Sequence, residues 1–156
     1  MKKYFIVEIL CVLLAISYIV YSVSTTSVTT IKSAEEISSL LVTDMSTDDI
    51  CERNINFITE KYGVSTSMFS SVVCFSSDDV MNVNELFIGV LTDESNDEII
   101  RSFEDYAEDR FNLYNGYAPE QAALIDNYVL DVSSGALIFC IDDNAEAIYS
   151  KLLKIL

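Results

Sequence analysis

The chain has 156 residues, 51% of them hydrophobic, and carries 25 Asp and Glu against 9 Lys and Arg for a formal net charge of −16. That surplus of acid argues against nucleic-acid binding, which needs cations to meet phosphates. The absence of histidine excludes Ser-His-Asp and Cys-His catalysis and any imidazole metal ligand, and four glycines compose neither a P-loop nor a dinucleotide fingerprint.

The first element is an apolar run. Lys2 and Lys3 precede 20 residues, Tyr4 to Val23, in which Glu8 is the one formal charge. As a helix rising about 1.5 Å per residue, the run spans roughly 30 Å, the hydrocarbon thickness of a bilayer. The two lysines place the N-terminus in the cytoplasm, and Tyr4, Tyr18 and Tyr21 fall toward the interfaces. A cleaved secretory signal is the first alternative, but its apolar core is normally shorter, about 7–15 residues, and the site Ser22-Val23-Ser24 is weak. A buried helix of a soluble protein is the second. Cys11 lacks the small residues that lipid attachment needs before it. Glu8 is expected to lie near the interface or to touch another membrane helix.

Residues 1–23 are thus expected to be the anchor, 24–32 a polar linker, and 33–156 one acidic extracytoplasmic domain. Removing Lys2, Lys3 and Glu8 from the totals leaves 7 basic and 24 acidic residues beyond Val23, a charge of −17. Ser33 with Glu36 forms a capping box for a first helix carrying Ile37, Leu40 and Leu41. A second helix is predicted from Asp48 to Tyr62, stopped by Gly63. Two strands follow, Met68–Ser76 and Glu85–Leu91. Residues 93–97 cap the longest helix, whose apolar positions include Ile99, Phe103, Ala107 and Tyr114. Pro119 opens a short helix to Ile125. A hairpin of Tyr128–Val132 and Ala136–Ile141 turns at Ser133-Ser134-Gly135, and Asn144 caps a terminal helix. This order predicts an α+β domain: an antiparallel sheet of about four strands with helices packed on one face.

Candidate chemistry is sparse. Cys51, Cys74 and Cys140 form no CxxC pair, so no metal site is expected. Cys74 and Cys140 read as small hydrophobes in strands, with a disulfide between them as the alternative. The acidic pairs Asp78-Asp79, Asp93-Glu94 and Asp142-Asp143 all fall in turns, where neighbouring carboxylates rarely acquire the split pKa values that catalysis needs. Asp93, Ser95, Asp97 and Glu104 match part of a calcium loop, but Glu98 stands where its glycine belongs, and a helix N-terminus explains the acids better. Arg110 has two readings: an ion pair with Asp105 or a neighbour of Tyr106, or recognition of a ligand carboxylate or phosphate.

From Arg110 to Leu130 the chain runs RFNLYNGYAPEQAALIDNYVL. Arg110, the stretch Tyr117-Ala118-Pro119-Glu120-Gln121 and the hairpin from Tyr128 to Ile141 together resemble the bacterial domain-of-unknown-function family 4358, found chiefly in Firmicutes. The likeness covers roughly the last 70–90 residues and departs at Asp131, a charge within a strand. It implies a single exported domain anchored by a helix or lipid, with no assigned catalytic residues. The expected function is a non-enzymatic binding domain at the Gram-positive envelope, without cofactor; Arg110, Tyr114, Tyr117 and Gln121 cluster polar and aromatic groups where the long helix turns into the Pro119 segment and are expected to line a groove. The alternatives are an accessory subunit docking through residues 4–23 and a carboxylate-based enzyme acting on wall polymers.

Overall fold

In a computed structural model the described residues are 33–39, 41–46, 49–92 and 97–156. The Tyr4–Val23 run with Lys2, Lys3, Glu8 and Cys11, the linker 24–32 and the acids at 93–96 lie outside them. Among the described residues no helix is long and apolar enough to cross a membrane.

Five strands form one fully antiparallel sheet. They are β1 (Cys51–Glu52), β2 (Phe69–Ser76), β3 (Glu85–Leu91), β4 (Val129–Ser133) and β5 (Ala136–Ile141), in spatial order β1-β2-β3-β5-β4. The α+β class and the four longer strands agree with the sequence reading. The fifth, β1, does not: Cys51 pairs with Ser76 and Glu52 with Phe75, where a helix was expected from Asp48. That helix, α2 (Ile55–Tyr62), begins later because Asn54 caps it, its Oδ1 accepting the Phe57 N–H at 3.0 Å. It stops at Gly63, whose φ of 67° is the left-handed conformation that glycine adopts without a Cβ clash.

The expectation of helices on one face is corrected. Side chains alternate across each strand, so β3 sends Phe87 to one face and Leu86 and Ile88 to the other. Strand β5 likewise divides into Phe139 and Ile141 against Ile138 and Cys140. Helices α2, α3 (Asp97–Tyr114) and α4 (Pro119–Asp126) cover the first face through Ile58, Tyr62, Ile99, Phe103, Ala107, Ala122 and Ile125. Helix α1 (Ala34–Ser38) and the terminal α5 (Ala145–Leu152) cover the second through Ala34, Ile37, Ile148 and Leu152. The uninterrupted apolar runs of β3 and β5 record this two-sided burial, since a strand with one wet face alternates.

The ends of the elements follow local chemistry. Ser33 Oγ accepts the Glu36 N–H at 3.3 Å, as the capping-box reading requires. Ser134 and Gly135, with φ of 50° and 77°, turn the β4–β5 hairpin. Asn144 precedes α5 but its side chain makes no capping bond; it donates instead to the Asp44 carbonyl at 3.1 Å.

Candidate functional site

At one end of the first face, a cleft of about 450 Å³ opens between α2, α3 and the β2–β3 loop. Its floor is Glu85, the first residue of β3 and fully buried. A carboxylate there needs partners to offset lost hydration, and four side chains supply them. Tyr62 donates to Oε1. Lys61 Nζ, Tyr106 Oη and Arg110 Nη1 reach Oε2 at 2.5, 3.0 and 3.0 Å. Lys61 and Tyr62 come from the last turn of α2; Tyr106 and Arg110, four apart, share one face of α3.

The pocket shifts its own protons. Burial, then the neighbouring Glu85 charge, pushes the Tyr62 hydroxyl well above its ordinary value of 10.0, and the same two causes raise Tyr106. Cys74, 3.3 Å from the Tyr62 hydroxyl, is pushed up to about 12 by burial and Glu85. It is a packed thiol with no nucleophilic character at neutral pH. Burial opposes the Arg110 charge, but Tyr106 and Glu85 beside it raise its pKa above the ordinary value.

Three of the six basic residues among those described (Arg53, Lys61 and Arg110) line this cleft, each with a side chain 17% exposed. Their duties differ. Every nitrogen of Arg53 is engaged: Nε donates to Ser76 Oγ at 2.7 Å, Nη1 to Asp78 at 2.6 Å, and Nη2 to the Ser76 and Ser77 carbonyls at 3.0 and 2.6 Å. It clamps the β2–β3 loop. Arg110 donates from Nη1 to Glu85 at 3.0 Å and to Tyr106 at 2.5 Å, and its side chain also bonds to Tyr114. Its guanidinium lies 5.6 and 5.4 Å from the ring centres of Tyr106 and Tyr114, within cation–π range of both.

The four residues singled out in the sequence are brought together only in part. Arg110 and Tyr114 line the cleft, and Arg110 pairs with Glu85 rather than with Asp105. Tyr114 donates to the Val80 carbonyl, tying α3 to the β2–β3 loop. Tyr117 lies outside the lining, 54% exposed, with its ring 5.3 Å from that of Tyr114. Gln121 is a structural brace: its Oε1 accepts the Val83 N–H at 3.0 Å. Glu85, Lys61 and Tyr106 escaped the sequence reading. The available signal was a charge opening an otherwise unbroken apolar strand.

Two other expectations meet the geometry here. Asp142 is not an exposed turn acid; it is buried and accepts from Ser46 N and Oγ, Asn84 Nδ2 at 2.7 Å and Asn144 N at 2.8 Å. Cys74 and Cys140 belong to the cores on opposite faces of the sheet and are free thiols, so they form no disulfide. Among the described residues no three Cys, Asp or Glu side chains group as metal ligands.

A family model matches residues 44–142, more than half of the chain. The chain belongs to that family, the domain of unknown function DUF4358. No curated protein and no solved structure matches it. The family segment begins well before the stretch that carried the resemblance. It takes in β1, α2 and every residue of the Glu85 cluster, and it ends before α5.

Proposed function

We propose that the chain is a binding module, tethered to a membrane by residues 4–23, whose cleft recognises the carboxylate or phosphate group of a ligand outside the cytoplasm. The observation that carries this reading is Arg110. Glu85 and Tyr106 take bonds from Nη1 and Tyr114 takes a further one, so of the five guanidinium N–H groups two remain for an incoming oxyanion, with the Tyr106 and Tyr114 rings beside them. A planar fork held in this way recognises a carboxylate at two points. Tethering and orientation rest on the sequence, on Lys2 and Lys3 before the Tyr4–Val23 run.

A second reading, a carboxylate-based enzyme, draws on Glu85 and Asp78 lining one cleft. Both oxygens of Glu85 are already engaged by donors from four side chains, which favours a positioning role over proton transfer. The accessory-subunit reading draws on Glu8 within the apolar run.

The test is calorimetric titration of the full-length chain in nonionic detergent with acetate and with inorganic phosphate. At least one should bind the wild type, and Arg110→Met should abolish the signal. If Arg110→Met lowers the melting temperature but leaves binding unchanged, Arg110 is a structural counter-ion and the reading is wrong. Protease added outside intact cells should digest the domain; protection would refute the orientation.

A further inference from the structure

The cleft is polarised. Deep in it, Lys61 and Arg110 share the single charge of Glu85, leaving one positive charge in excess. At the mouth Arg53 is matched by Asp78, whose side chain is 74% exposed, and Asp79 remains with no ion pair among the described residues. One negative charge is therefore in excess at the rim. The rim is also apolar. Val80 and Leu113 line it at 79% and 62% exposure, Met81 follows Val80, and Tyr117 leans on the lining residue Tyr114. These four are among the six large hydrophobic side chains that the described residues expose, so the apolar surface gathers at this cleft rather than scattering.

Long-range charge selects among ligands. A free anion approaching a chain of net charge −16 is repelled at range, whereas a zwitterion carries no net charge to be repelled. Resting on the oxyanion reading of Arg110, we infer that the ligand is a zwitterionic amino acid or short peptide with an apolar side chain. Its carboxylate meets Arg110 and Lys61, its ammonium meets Asp79, and its side chain lies against Val80 and Leu113. A volume of about 450 Å³ suits a molecule of that size.

Leucine, isocaproate (leucine without its ammonium) and isoamylamine (leucine without its carboxylate) separate the terms by calorimetry on the full-length chain in detergent. Leucine should bind on the order of tenfold more tightly than isocaproate, a difference of about 1.4 kcal/mol, and isoamylamine should not bind. Asp79→Asn should erase the preference for leucine by weakening leucine, while isocaproate, relieved of one nearby negative charge, binds no more weakly than to the wild type. If isocaproate binds as tightly as leucine, the zwitterion inference fails and the oxyanion reading stands. If neither carboxylate binds, nor acetate or phosphate, both fail. Undiminished leucine preference in Asp79→Asn also overturns the inference.

Discussion

Glu85 sets the chemistry of the site one residue at a time. It holds Lys61, Tyr62, Tyr106 and Arg110 on one carboxylate, so its removal takes that acceptor from two largely covered cations and two hydroxyls. Glu85→Ala should cost about 3–5 kcal/mol in urea unfolding, the usual penalty for breaking a buried pair from one side; a loss below about 1 kcal/mol would show that water replaces the carboxylate. The sequence alone drew attention to Arg110, because an arginine on an otherwise acidic helix face stands out. It could not show Glu85 as the partner, since the two are 25 residues apart and meet only when α3 packs on β3. Gln121 clusters in sequence with the polar and aromatic groups around Pro119, but its side chain serves a backbone N–H of the β2–β3 loop. Residue type carried the chemistry here, and position carried the pairing.

The elements were largely legible. Strands β2, β3, β4 and β5 and helices α3 and α4 follow from period and punctuation, because turn residues and Pro119 bound them. What misled was the layer count: short hairpins suggested one wet face, yet the unbroken runs LFIGVL and ALIFCI meant burial on both. Strand β1 was invisible because two residues carry no period, and only pairing with Ser76 and Phe75 defines them. Two cores on opposite faces of one sheet make a measurable statement. Phe103→Ala, at the centre of an aromatic cluster with Tyr62, Phe87 and Phe139, should cost about 3–5 kcal/mol. Ile148→Ala on the other face should cost about 2–5 kcal/mol. Because the sheet separates them, the double variant should lose the sum to within about 0.5 kcal/mol in denaturant unfolding. A saving well beyond that would mean that the two cores are one.

For the whole molecule, the tyrosines beside Glu85 add to the loss of stability at high pH. Tyr62 and Tyr106 keep their protons in the folded state well above the ordinary value of 10.0, whereas the unfolded chain releases them there. Their contribution is complete below that value and is lost as pH rises past it, so the unfolding free energy should fall with increasing alkalinity. Tyr62→Phe should make that fall shallower in urea titrations across the range; an unchanged slope would place the alkaline sensitivity elsewhere. The chain as a whole is acidic. That makes a cleft that gathers half of the described basic residues stand out against its surroundings, as no local motif would.

The central claim is that Arg110, and not merely the charge of the cleft, receives the ligand. Its most direct measurement is the arginine Nε–Hε spectrum of the full-length chain, by NMR in detergent, during titration with isocaproate. The Arg110 signal should shift and saturate, while Arg101, exposed on the same helix, and Arg53, whose Nε already donates to Ser76, stay in place. An Arg110 signal that stays still, or that moves no more than that of Arg101, would contradict it.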